Sequence, residues 1–276
     1  MNYPYPSDPA APRSLGDLSR LHANLAADLD GAAERGELVA YFQPQIDLAT
    51  GRVVAAEALC RWWHPRLGMV SPGVFIAIAE QSDVIHEVGA FMLEESCSFL
   101  EETSKNGHSL EVAINVSPAQ LTSTGVLDYL APRIESGALD PQKITLEVTE
   151  TIEIVDLGLA AAQLNAMRAI GLGVSLDDYG AGHSSATQLG ALPVTEVKID
   201  RSLVQGDSED SRTQVAEVID LARERGLRVV AEGVENSEQN EYVVGAGCER
   251  AQGFLLGRPM NLSKFDRYLT GWLAEA

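Results

Sequence analysis

Short apolar runs rich in β-forming residues recur along the chain, at Leu38–Ile46, Val53–Arg61, Leu110–Val116, Ile144–Glu150, Gly173–Asp178, Glu196–Asp200, Arg228–Glu235 and Arg250–Leu255. Most are separated by stretches in which apolar residues return every three or four positions, the period of an amphipathic helix. Leu18, Leu21, Leu25 and Leu29 mark one such stretch from Ser14 onward, with Gly36 closing it or the turn that follows. Ser211 and Gln214 read as a capping box ahead of Val215, Val218, Ile219 and Ala222, and Gly226 ends that helix. Leu262, Phe265, Leu269, Trp272 and Leu273 give a closing helix. The repetition is one of element type and not of sequence, so a solenoid is excluded.

Eight strands alternating with helices predict an α/β fold, a (β/α)8 barrel of TIM type. The first two strands are joined by a short turn around Thr50-Gly51, too tight for a crossover helix, so the first strand should run antiparallel to the second. The barrel is therefore expected in a modified form. Residues Met1 to Arg13 carry four prolines and read as a disordered tail or linker, leaving 14–276 as one folded domain.

The polar residues within these strands change the picture. Barrel strands are buried on both faces, and an isolated carboxylate there is unfavourable unless it is paired or bound to a metal. Yet nearly every strand carries a polar group towards its C-terminal end, where barrel enzymes assemble their sites. Glu57 lies in the second strand, Asn115 in the third, Glu147 and Glu150 in the fourth, and Asp177 and Asp178 end the fifth. Lys198 is on the sixth, Glu232 and Glu235 on the seventh, and Gln252 on the eighth.

Asp177 and Asp178 are adjacent, and successive strand side chains point to opposite faces. They can serve one site only where the strand ends and the backbone turns, and Gly180 and Gly182 supply that freedom. The alternative is an ordinary acidic turn. Oxygen donors without histidine or cysteine favour magnesium or manganese over zinc. Six oxygen-bearing side chains exceed what one magnesium ion normally takes from protein, so two metals sharing an aspartate are expected, an arrangement suited to in-line displacement at phosphorus. Lys198 would orient the attacking water or neutralise developing charge. Glu57, Leu59 and Arg61 share a strand face, and Arg61 can fork onto a phosphate oxygen or pair with Glu57 within the strand layer.

Net charge −20 argues against duplex DNA as partner and against a polybasic membrane anchor, but metal ions would reverse the local field for a small phosphate ester. Cys60, Cys97 and Cys248 are far apart and suggest neither disulfides nor zinc. No signal peptide or bilayer-spanning run is visible, and the expected location is the cytoplasm.

With these residues in place, the chain closely resembles the EAL-domain family of cyclic di-GMP phosphodiesterases. Glu57-Ala58-Leu59 is the family's signature, and the likeness extends from about Leu18 to the C-terminus. It includes Tyr41-Phe42-Gln43-Pro44, Asn115-Val116-Ser117, Leu146-Glu147-Val148-Thr149-Glu150, Asp177-Asp178-Tyr179-Gly180-Ala181-Gly182, Lys198-Ile199-Asp200, Ala231-Glu232-Gly233-Val234-Glu235 and Gln252-Gly253. The resemblance implies a barrel with an antiparallel first strand, and metals held by Glu57, Asn115, Glu147, Asp177, Asp178 and Glu232. It also implies hydrolysis of cyclic di-GMP to linear pGpG with Lys198 assisting the water. Glu232 is either a ligand or a general base, and Glu150 a support for the loop after Asp178. Gln43, Leu59 and Arg61 correspond to substrate-contacting positions, as Asp178, Glu235 and Gln252 do in part. A homodimer and an upstream sensory or diguanylate cyclase domain are the implied partners.

Tyr179, Ala181 and His183 depart from the family's usual phenylalanine, threonine and tyrosine. All lie in its mobile loop and bear on rate and regulation, with His183 expected to pack and not to titrate in the reaction. Two other readings compete with the hydrolase. One is a receptor that binds cyclic di-GMP without cutting it, although such members typically lack a ligand that is present here. The other is an enolase-like magnesium enzyme abstracting a proton, which the aspartate pair and Arg61 fit less well.

Overall fold

The strands β1 (Leu38–Asp47) and β2 (Val53–His64) form an antiparallel hairpin with Gln43 opposite Glu57. Asp47 shapes its turn, Oδ1 accepting from Thr50 N at 2.8 Å and Thr50 Oγ1 at 2.6 Å. A computed structural model describes residues 24–149, 157–180 and 192–275. In it β2 runs parallel to β4 (Glu111–Asn115), and the sheet continues through β5 (Ile144–Thr149), β6 (Gly173–Tyr179), β7 (Glu196–Ile199), β8 (Arg228–Ala231) and β9 (Arg250–Ala251). The last of these pairs antiparallel with β1, placing Ile46 opposite Ala251 and closing an eight-stranded barrel. The predicted fold and the reversed first strand are both present.

Helices cover the outside of this barrel. They are α1 (Pro72–Glu80), α2 (Val84–Lys105), α3 (Gly125–Glu135), α4 (Leu157–Ala169), α5 (Arg201–Val204), α6 (Glu209–Arg225), α7 (Ser237–Ala246) and α8 (Leu262–Glu275). Their apolar faces meet the outward residues of the strands in two large buried clusters, around Phe42, Phe99, Ile114 and Phe265, and around Val197, Ile199, Val218 and Val229. A third unites Leu25 and Leu29 of the helical residues 24–29 with Trp62 and Phe75. No described helix is long and apolar enough to cross a membrane. Leu18 and Leu21 lie outside the described residues.

Three expectations need correction, and the two readings of Gly36 resolve to one. The seventh strand ends at Ala231, just before Gly233 turns the chain at φ +66°, and the eighth ends at Ala251. Glu232, Glu235 and Gln252 therefore stand on the loops just beyond the strands. The cap of α6 is Ser208, whose side chain accepts from Ser211 N at 3.1 Å; Ser211 lies inside the first turn, while Gly226 closes the helix at φ +66° as expected. Gly36 belongs to the turn after the first helix, its N–H donating to Ala33 O. Finally β2 extends to His64, paired with β3 (Gly68–Val70) that the apolar pattern did not reveal.

Alternate strand residues point into the barrel, and its lower end, at the strand N-termini, is filled by ions. Glu111 takes two hydrogen bonds from Arg250, at 2.7 and 2.9 Å, and one from Arg228 at 3.1 Å, while Arg228 also reaches Glu196 at 3.1 Å. Burial opposes the charge on Glu111, but the two guanidiniums hold its carboxyl below the ordinary range. Glu111→Ala would leave Arg250, only 8% exposed, without its partner. The expected loss is about 3 kcal/mol of stability, read by urea unfolding; a variant as stable as the parent would show that water replaces the carboxylate freely.

Candidate functional site

At the upper end of the barrel the inward positions are Gln43 on β1, Glu57 on β2, Glu147 on β5, Asp177 on β6 and Lys198 on β7. Lys198 is fully buried and stands at the centre. Its Nζ lies 2.7 Å from Glu232 Oε1, 2.9 Å from Glu147 Oε1, 3.0 Å from Asp177 Oδ1 and 3.4 Å from Glu57 Oε2. Asn115 Nδ2 donates to Glu57 Oε1 at 2.9 Å and Gln252 Nε2 to Glu57 Oε2 at 2.6 Å. Five separate strands and the loops after two others thus converge on one point.

The adjacent aspartates join this point by the expected turn, with one change of detail. Asp178 itself takes the left-handed conformation, at φ +57°, next to a break in the β6–β7 register. Asp is among the few residues that tolerate that region, and holding it there costs roughly 1–3 kcal/mol. As a result one oxygen each from Asp177, Asp178 and Glu232 lie within 4.8 Å of one another. Glu150, Ala181, Gly182 and His183 lie outside the described residues.

The electrostatics of this layer are unbalanced. Four carboxylates surround one ammonium, and Asp178 stands beside two of them. Burial works against the Lys198 charge, yet Asp177, Glu147, Glu232 and Glu57 hold the ammonium well above its ordinary range, so it is a fixed cation. Burial also opposes the charge on Glu57, Glu147, Asp178 and Glu232, and the outcome depends on local donors. Glu57 ends below its usual range because Lys198, Asn115 and Gln252 outweigh the burial. Glu147 faces Lys198 but no amide donor, and burial with its neighbours Glu57, Asp177 and Glu232 drives it well above. Burial and the charges of Asp177 and Glu57 push Glu232 up to about 8; burial with Asp177 and Asp200 pushes Asp178 up to about 6. Glu147 Oε2 is buried without a hydrogen-bond partner. An all-oxygen donor set with surplus negative charge and an unpartnered buried oxygen fits a hard divalent cation.

Two clefts meet at Glu57, Leu59, Arg61, Asp177 and Asp178. One, of about 360 Å³, is bounded by Gln43, Glu232, Glu235 and Gln252, and by Arg201, Phe254 and Pro259, which the sequence reading passed over. Phe254 and Pro259 stand on an irregular loop without periodicity, although Arg201 could have been noticed directly after the Lys198-Ile199-Asp200 run. Gly253 lets this loop lie against the one that follows β8: a Cβ there would come within 2.1 Å of Val234 O. The other cleft, of about 480 Å³, runs beneath α1 and α2 past Ile76, Val88 and Met92.

Arg61 forms no ion pair with Glu57. Its Nη1 donates to Cys60 O at 2.8 Å and its guanidinium stands 5.6 Å from the centre of the Tyr41 ring. Gln252 is nearly buried, its amide spent on Glu57 and, at 3.1 Å, on Gln43 Oε1. Glu235 is exposed at the rim.

Among known proteins the chain is similar to MucR of Pseudomonas aeruginosa, a bifunctional diguanylate cyclase/cyclic di-GMP phosphodiesterase. The identity is 38% over 251 residues, 90% of this chain and 36% of MucR. RocR of the same organism, a cyclic di-GMP phosphodiesterase, is 32% identical over 247 residues, 89% of this chain and 63% of RocR. The chain thus spans from about a third to somewhat under two thirds of the length of these relatives. The solved PaMucR phosphodiesterase, in complex with c-di-GMP, superimposes with a TM-score of 0.81 at 36% identity, covering 88% of this chain and 99% of that one. The sequence profile of the EAL domain matches residues 26–259, the span that holds the barrel and every described residue of its acidic mouth, and the chain belongs to the EAL domain family, whose relatives here are cyclic di-GMP phosphodiesterases.

Proposed function

We propose that this domain hydrolyses cyclic di-GMP to linear pGpG with two Mg2+ or Mn2+ ions held by Glu57, Asn115, Glu147, Asp177, Asp178 and Glu232. The observation that carries this is the crowding of four carboxylates around one lysine, with Asp178 beside them, a surplus of charge that divalent cations would balance. When bound, such ions lower the pKa of water and neutralise charge on the phosphoryl oxygens. The chain's own groups do the rest. Lys198, a fixed cation at the centre, orients the attacking water and offsets charge as the phosphorus becomes five-coordinate. Glu232 takes the water's proton, a role supported by its being the most accessible of the four carboxylates at Lys198, with 16% of its side chain exposed. Arg61 and Asp178 face the phosphate from the cleft rim, with Gln43, Leu59 and Glu235 along the nucleotide. Attack in line breaks one P–O3′ bond, leaving a 3′-hydroxyl and a 5′-phosphate.

The functional unit is taken as 14–276 after a tail at 1–13. The domain acts in the cytoplasm as a homodimer, with an upstream sensory or diguanylate cyclase domain supplying the input; the two activities named for MucR support that last point. Chromatography of cyclic di-GMP incubated with the protein and Mn2+ tests the reaction. The expected product is pGpG, formed only with metal and lost in Glu57→Ala by about 10³-fold or more. Binding without turnover would leave a receptor module, and pGpG formed in excess chelator would refute the metal role.

A further inference from the structure

The turn that carries Asn115 is tied down from a helix on the barrel's exterior. Glu80 is the last residue of α1, and its Oε1 accepts from Ser117 Oγ at 2.8 Å. Ser117 sits two residues after Asn115, its N–H donates to Gln120 Oε1 at 3.1 Å, and its Oγ accepts from Ala119 N at 3.3 Å. A hydroxyl has one proton to give, and here Glu80 receives it. Gln120 is nearly buried and lies directly under α2, at Gly89, where a Cβ would come within 1.9 Å of its Nε2. On the other side Val116 N donates to Glu147 O at 2.8 Å. The Asn115-Val116-Ser117 turn is thereby fixed at each residue: to Glu57 through the Asn115 amide, to β5 through Val116, and to α1 through Ser117.

A carboxylate in the last turn of a helix opposes the macrodipole and is locally unfavourable by about 0.3–1 kcal/mol. Nothing within α1 compensates for Glu80, since that helix has no basic residue in its last turn. Its position makes sense through the tertiary contact. Helix α1 is itself immobilised by Phe75, Ile78 and Ala79, which are buried against Trp62, Leu25 and Leu29. Glu80 also borders the cleft that contains Glu57, Asn115, Asp177 and Asp178.

We infer that Glu80 is a positioning residue, acting through Ser117 to hold Asn115 in the orientation that supports Glu57 and offers its amide oxygen to a divalent cation. This rests on the two-metal reading above. Partners of this outer kind typically change metal affinity by about 10–100-fold. The test is calorimetric titration of the chelator-stripped protein with Mn2+, alongside thermal unfolding without metal. Glu80→Ala and Ser117→Ala should each weaken Mn2+ binding about 10-fold. The double variant should be no weaker than either, because both changes break one link. Glu80→Gln, which keeps an acceptor oxygen, should stay within about 3-fold of the parent, and excess Mn2+ should restore turnover in all of them. Full-strength Mn2+ binding by Glu80→Ala, or losses that add in the double variant, would overturn the proposal. So would a lowered unfolding temperature without any change in the Mn2+ isotherm, the mark of a merely structural contact. If the parent protein takes up no Mn2+, or Glu57→Ala takes it up unchanged, the two-metal reading itself fails and the positioning role falls with it.

Discussion

Lys198→Met should reduce turnover of cyclic di-GMP by about 10²–10³-fold, the usual effect of deleting one preorganised charge that faces developing negative charge. It should also destabilise the metal-free protein by roughly 3–5 kcal/mol. Four carboxylates lie within 3.4 Å of its Nζ, and methionine fills similar volume without neutralising any of them. The instability should be electrostatic in character. It should be larger at pH 8 than at pH 5, where protons can replace the lost cation, and added Mn2+ should recover most of it. Chemical unfolding at both pH values, with and without metal, checks each part. An unfolding free energy equal to the parent's at pH 8 in chelator would mean that Lys198 does not neutralise this layer.

The second large effect concerns the unmodified protein. Glu232 is held near pH 8 in the fold against an ordinary 4.5. Between those values the folded state carries more protons than the unfolded one, so stability falls as pH rises. The stabilisation is complete below about pH 4.5 and gone above about pH 8, corresponding to roughly 5 kcal/mol for this one carboxyl. Asp178, raised from 3.8 to about 6, acts in the same direction over a lower window. Glu57 behaves oppositely: its folded pKa lies below 4.5, so its contribution is present at neutral pH and is lost only on acidification. In chelator, the melting temperature should therefore decline from pH 5 to pH 8. The rise produced by Mn2+ should grow over the same range, because cation binding requires the deprotonated acids. A Mn2+ increment that is flat across this range would show that the ion binds elsewhere.

Much of this arrangement was legible in the sequence because strands have a period of two and barrels use one end. The short Thr50-Gly51 connection announced the reversed first strand, and charged residues within apolar runs announced the ring. What escaped was set by tertiary contact. The β3 strand exists only through pairing with the end of β2, and Ser208 displaced Ser211 as the cap because both serines at that spacing suit an N-terminus. Glu232 left its strand because Gly233 turns the chain. The left-handed backbone at Asp178 was attributed to its neighbouring glycines, since nothing local distinguishes an aspartate that will adopt that conformation itself. The Glu80–Ser117 bond joins residues 37 positions apart, a pairing on which no local pattern bears.

The reversal of β1 also decides from which side the polypeptide arrives. In a regular barrel the first strand starts at the floor, but here Leu38 lies opposite Trp62, near the end of β2, so the chain enters at the acidic rim. The helical residues just before it are wedged beside Phe75 of α1. A module fused ahead of residue 24 would thus pull or push on the wall that carries Glu80, a few residues from Asn115 in the acidic cluster, and would have no need to transmit its state through the body of the barrel.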